Sequence, residues 1–154
     1  MKYAPTALRN GRHVKVIADN NTVISGYLWR GAPNRVLEAA KQGQLSLFTS
    51  DALLAELSGV LQRAKFASAF ERNNTTAAAV LAEYATLARI VVATPLPAPV
   101  CDDPDDDAVI ACAIAAGADV IVSGDDDLLR LGRYGITQIL TAAELLQHLA
   151  SSQP

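Results

Sequence analysis

Cysteine is nearly absent from this chain. Only Cys101 and Cys112 occur in 154 residues, and their spacing fits neither a disulfide framework nor a zinc site. No apolar run reaches the roughly 18–20 residues of a membrane span. The start, Met1-Lys2-Tyr3-Ala4-Pro5, leads into polar residues instead of an apolar signal core. Excess positive charge is missing too: 13 Lys and Arg against 16 Asp and Glu give a net charge of −3. That balance excludes a polybasic nucleic-acid coat but leaves room for local basic patches. Nine Gly and seven Pro are too few for a disordered or collagen-like chain. What remains is a length that suits one domain with its own core. The expectation is a soluble cytoplasmic protein with no membrane attachment.

Residues 1–13 are polar and aperiodic and read as a flexible leader, with a single domain over 14–154. Val14-Lys15-Val16-Ile17-Ala18 is a β-branched run that stops at Asp19-Asn20-Asn21, the pattern of a buried strand. A helix is expected over 32–42, opened by Pro33 and closed by Gly43. Leu45 to Thr49 reads as a strand, and Thr49 or Ser50 can cap a helix carrying Leu53, Leu57 and Leu61. Further helical pieces are expected over 64–71 and 76–89. Strands are expected over 90–93, 120–122 and 136–140. Prolines 95, 97, 99 and 104 exclude regular structure before a helix over 105–116. Thr141 and Glu144 form a capping box for a last helix. Apolar strands alternating with helices predict an α/β fold whose mostly parallel sheet is covered on both faces.

The placement of the acids is the informative feature. Asp19 follows the first strand directly, and Asp125-Asp126-Asp127 follow the fourth. In an open parallel sheet, the carboxyl ends of the strands share one edge, where ligands bind. The run Asp102, Asp103, Asp105, Asp106 and Asp107 opens the helix that leads into the fourth strand. Glu56 borders the apolar stripe of its helix, one turn from Leu53 and Val60. Each group alone has an ordinary reading: an Asx turn, a helix start complementing the macrodipole, or a glutamate at the margin of the core. Together they are costly. Like charges about 4 Å apart repel by about 4 kcal/mol per pair at an effective dielectric near 20. Carboxylate oxygens without His or Cys suit hard ions such as Mg²⁺ or Mn²⁺.

The stretch from Val16 to Ser25, with Asp19-Asn20-Asn21 at its centre, resembles the opening of PIN-domain nucleases. The likeness continues through Thr49 to Leu57, Asp103 to Ala111, Ala116 to Asp119 and Val122 to Leu129. It spans about 14–149 with its motifs in order, and it is nearest the VapC-like toxin branch of bacterial toxin–antitoxin pairs. The resemblance implies a three-layer α/β/α fold around about five strands. It implies Asp19, Glu56, Asp107 and Asp125 as the acidic quartet, with Asp19, Asp107, Asp125 and Asp127 holding Mg²⁺ or Mn²⁺ and Asn21 in support. Asp107 is preferred among its neighbours because it directly precedes Ala108-Val109-Ile110-Ala111. Asn20 departs from the family, which commonly has Thr there.

The activity so implied is metal-dependent cleavage of single-stranded RNA, with an antitoxin protein and a second copy of the chain as partners. Arg30, Arg35, Arg130 and Arg133 flank the acidic motifs and are candidates for a basic rim, and Trp29 could stack on a base. Two other readings stand beside it. One is a non-catalytic PIN-like module that binds RNA or protein. The other is a phosphatase or phosphoacceptor domain using Asp19, which would want a Lys near the late strands, where none follows Lys65.

Overall fold

The computed structural model describes residues 14–151. The leader read at 1–13 and the last three residues lie outside that range. In chain order the elements are β1 (Val14–Ala18), α1 (Asn20–Leu28), α2 (Ala32–Lys41), β2 (Leu45–Ser50) and α3 (Asp51–Leu61). A 3₁₀ turn (Ala64–Phe66) leads to α4 (Ala67–Arg72), α5 (Ala77–Leu87) and β3 (Arg89–Val91). Then come α6 (Pro104–Ala116), β4 (Val120–Val122), α7 (Asp126–Leu131), β5 (Arg133–Tyr134), β6 (Thr137–Leu140) and α8 (Ala142–Ser151).

The strands form one sheet in the order β3-β2-β1-β4-β6-β5, parallel throughout except for the β5–β6 pair. The described sheet therefore has six strands where about five were expected. The added one, β5, is two residues long and turns back onto β6 through Gly135, whose φ is +59°. Two residues carry no readable alternation.

The pleat sorts the core into two layers. Val14, Val16 and Ala18 of β1 join Val120 and Val122 of β4 on one face, against Leu37, Leu57, Tyr84 and Leu145 from the helices. Ile17 and Ile121 point the other way, onto Val109, Ile110, Cys112 and Ala113 of α6. This is the period-two alternation of a strand buried on both sides. The result is the three-layer α/β/α architecture. Among the described residues, no helix is long and apolar enough to cross a membrane.

The segment 20–28 was not expected to be helical, because Thr22, Val23, Ile24 and Gly26 are weak helix formers. Packing decides otherwise. Asp19 caps α1, and Val23, Ile24 and Leu28 are buried on the sheet. Gly26 lets α1 lie close on α2, since a Cβ there would sit 2.5 Å from Leu37 Cδ1 and 3.0 Å from the Pro33 carbonyl.

Because β2 and β4 flank β1 on opposite sides, the chain order reverses at β1 and β4. A crevice opens outside their carboxyl ends, the usual ligand position of an open parallel sheet.

Candidate active site

Asp19 stands at the end of β1, 7% exposed. Its backbone N–H continues the ladder to the Val122 carbonyl at 3.0 Å. Both carboxylate oxygens are engaged: Oδ1 accepts the Thr22 N–H at 2.8 Å and Oδ2 accepts the Ser123 hydroxyl. The Ser123 oxygen in turn accepts the Asp125 N–H at 2.9 Å, and Asp125 Oδ2 caps α7 through the Leu128 N–H at 3.1 Å. The two strand ends at the crevice are thus joined by one hydrogen-bonded chain through a buried serine. Nothing in the sequence marks Ser123 for this role, because a Ser-Gly pair after a strand reads as a turn.

On the other wall, Ser50 caps α3 and sets its register. Glu56 lies on the face of α3 toward the crevice, held by the Asn20 side-chain amide, which also donates to the Leu53 carbonyl at 2.9 Å. The residue that departs from the family therefore orients a predicted site carboxylate. Asp19, Glu56, Asp106 and Asp125 line one acidic pocket of about 230 Å³, together with Asp103, Asp105 and Arg63. Asn21, exposed at its mouth, also lines a larger adjoining cleft of about 840 Å³ that contains Asp125, Asp127 and Arg130.

The third acidic motif requires a correction. Asp107 turns away from the crevice: it accepts the Cys101 N–H at 2.8 Å and the Val100 N–H at 3.2 Å. It lines a mostly apolar cavity of about 340 Å³ under the proline-rich loop, with Leu96 and Ala108. Asp106 occupies the place expected of it. A helix turns about 100° per residue, so α6, starting at Pro104, cannot aim consecutive aspartates at one point. Ligand oxygens of Asp106, Asp125 and Asp127 lie within 4.8 Å of one another. Asp127, also exposed to solvent, pairs with Arg130.

The crowding leaves an electrostatic mark. Burial, then a carboxyl–carboxyl hydrogen bond with Asp125 and the charges of Asp125, Asp103 and Asp19, push the Asp106 carboxyl up to about 7. Burial and the neighbouring Asp105 and Asp103 likewise push Glu56 up to about 7, against the opposing pull of the Asn20 donor. The donor set is all hard carboxylate oxygen, without imidazole or thiolate, so it fits Mg²⁺ or Mn²⁺ and not zinc or copper. Both thiols are pushed up to about 11, mainly by burial, which keeps Cys101 and Cys112 from serving as nucleophiles at neutral pH.

The PIN-domain family model matches residues 15–127, from the first strand to the last acidic motif. The chain belongs to the PIN-domain family. Members of that family are generally nucleases, and the PIN fold accounts for the convergence of acids from β1, α3, α6 and the turn after β4. Neither a curated protein nor a solved structure gives a significant match to this PIN domain.

The basic rim is less concentrated than the sequence reading expected. Arg130 lines the larger cleft. Arg30, Arg35 and Arg133 are exposed and none of them lines the acidic pocket, and Arg133 donates to the Gly135 carbonyl at 3.1 Å. The arginine that does line it, Arg63, was not among the candidates, because it lies after the α3 motif instead of beside an aspartate.

Proposed function

We propose that this PIN domain is a Mg²⁺- or Mn²⁺-dependent endoribonuclease that hydrolyses phosphodiesters of single-stranded RNA. The observation that carries the reading is the close set of Asp106, Asp125 and Asp127 beside the buried Asp19. Asp106, Asp125 and Asp127, with Asp19 lining the same pocket as the first two, would hold the ion. Bound there, a divalent ion would offset the charge of carboxylates and phosphate and lower the pKa of water. The protein supplies the rest. Ser123 and Thr22 fix Asp19, so that its charge faces the pocket without a rotamer search. Asn20 fixes Glu56, whose Oε atoms titrate near neutrality and can take a proton from an attacking water at physiological pH.

The full chain incubated with single-stranded and duplex RNA, in Mn²⁺, Mg²⁺ or EDTA, tests this. The expected result is internal cleavage of the single strand only, abolished by EDTA. Intact RNA under every condition would reject the activity.

We read the biological role as the toxin of a toxin–antitoxin pair, acting as a homodimer covered by a cognate antitoxin. The VapC-like order of the motifs supports the role, and exposed apolar residues such as Val92 and Ile114 offer contact area. Growth arrest on induced expression, and a dimer mass by light scattering at tens of micromolar (on the order of a weak interface's dissociation constant), are the expected outcomes.

A further inference from the structure

Arg63 is surrounded by acids and bound to none of them. It lines the acidic pocket with Glu56, Asp103, Asp105 and Asp106, yet its guanidinium makes no hydrogen bond or ion pair among the described residues. Glu56, Val60 and Arg63 follow each other at i, i+4 and i+7 and line the same wall, so Arg63 extends the α3 stripe beyond the last turn. Its backbone is pinned at both ends, N–H to the Val60 carbonyl at 3.1 Å and carbonyl to the Phe66 N–H at 3.0 Å. Phe66 is buried, and on it lean two exposed groups. The Lys65 ammonium lies 5.1 Å from its ring centre, and the Trp29 ring lies 6.3 Å away at 59°. Trp29 is 45% exposed and stands at the end of α1, whose last carbonyl, that of Leu28, is tied to α4 by the Asn73 side chain at 2.9 Å.

We propose that the RNA strand leaves the acidic pocket over Arg63 and crosses onto Trp29, with Arg63 gripping a backbone phosphate and Trp29 stacking on a neighbouring base. This rests on the ribonuclease reading and adds the path of the substrate. The chemistry is what a sequence-tolerant single-strand track needs: a guanidinium on a pinned backbone with no competing ion pair among the described residues, open to a phosphate, and an exposed indole for whichever base follows. An arginine drawn into an ion pair with the pocket acids could not serve so. The turn after α3 presents two exposed cations, Arg63 and Lys65, with the half-exposed indole packed on the buried Phe66 beside them, and such a surface selects single strands, because a paired base has no free face to offer.

Trp29 is the one Trp of the sequence, so its emission reads the track directly. The probe is a single-stranded oligoadenylate titrated into the full protein, with Ca²⁺ in place of Mn²⁺ to slow cleavage. Saturation is expected to quench Trp29. Arg63→Ala is expected to raise Kd about tenfold and lower the slope of log Kd against log salt by about 0.7, the signature of one lost phosphate contact. Arg63→Lys should recover the salt slope but only part of the affinity, since it keeps the charge and loses the fork. Trp29→Ala, followed by anisotropy of a labelled strand, should raise Kd about tenfold with the salt slope intact. Unchanged Trp29 emission at saturation, or wild-type Kd and salt slope in both alanine variants, would overturn the track. Emission that shifts with protein concentration alone would make the Trp29 face a contact between copies and overturn it as well. The ribonuclease reading fails separately, if wild type leaves RNA intact in Mn²⁺ while these binding results are obtained.

Discussion

The Ser123 hydroxyl, 1% exposed, donates to the Asp19 carboxylate across the junction of β1 and β4. Its oxygen simultaneously accepts the Asp125 N–H. Ser123→Ala therefore strips Asp19 of one donor and leaves a backbone N–H beside it without its acceptor. Leaving such buried groups unpaired costs about 1–3 kcal/mol. Freed from its anchor, Asp19 should also hold an ion less well, with Mn²⁺ affinity falling about 10- to 100-fold, as for other residues that orient ligands. Calorimetric titration with Mn²⁺, beside thermal melting of the ion-free protein, checks both. Wild-type affinity in Ser123→Ala would show that Asp19 needs no such anchor.

The neighbouring aspartates of α6 should respond oppositely to the same substitution. Asp106→Asn removes a charge from the crowded pocket, so the ion-free protein should melt at the same temperature or higher. Its Mn²⁺ affinity should drop on the order of a hundredfold. Asp107→Asn instead weakens the grip on the Val100 and Cys101 N–H groups, costing about 1 kcal/mol, with Mn²⁺ affinity kept. Reversal of the two results would return the site role to Asp107.

That pair also marks how far the sequence could be read. The mostly apolar, β-branched stretches of β1 and β4, bounded by Asp19 and by Ser123-Gly124, read as strands covered on both faces. The Thr141–Glu144 box closes reciprocally, at 2.9 and 3.1 Å. Within the acidic run of α6 nothing local distinguishes Asp106 from Asp107. The choice depends on where Pro104 starts the helix and on a proline-rich loop whose N–H groups claim one carboxylate. The α1 helix was hidden for the converse reason: its β-branched residues fit a strand locally and are made helical by the Asp19 cap and burial against the sheet. Arg63 became visible only when α3 was placed against the pocket.

Glu56 and Asp106 both titrate near 7 in the folded protein, above their ordinary 4.5 and 3.8. A raised carboxyl pKa means the native state keeps a proton that the unfolded chain gives up. The contribution of these groups to stability is fully present below about pH 4 and is lost as pH rises toward about 7. The ion-free protein should thus lose melting temperature over that window relative to the double variant Glu56→Gln, Asp106→Asn. Mn²⁺ must displace the proton on Asp106, one of its proposed ligands, so its stabilising shift should grow from about pH 5.5 to about pH 7.5. Parallel pH profiles for wild type and double variant would show that neither carboxyl is perturbed.

Asp19→Asn separates catalysis from folding. The substituted side chain keeps the size of the original and an oxygen to accept the Thr22 N–H, and Asn is a good helix N-cap. Its amide can donate to Ser123 Oγ, whose hydroxyl then turns elsewhere, so the α1 cap and the strand junction survive. What is lost is one buried negative charge beside Asp106 and Asp125. The loss relieves repulsion, so ion-free melting should be unchanged or raised, and the Asp106 carboxyl should titrate lower because Asp19 is one of the charges holding it up. With an ion to be held, the same loss acts the other way. Several kcal/mol of charge stabilisation correspond to at least about a hundredfold in cleavage rate. If Asp19 were only a turn residue, Asn would serve equally and RNA cleavage would continue. Metal-dependent cleavage of a single-stranded RNA, measured beside melting with and without Mn²⁺, distinguishes the two. Full cleavage with an undiminished Mn²⁺ shift in the variant would remove Asp19 from the metal site and leave it as the cap of α1 alone.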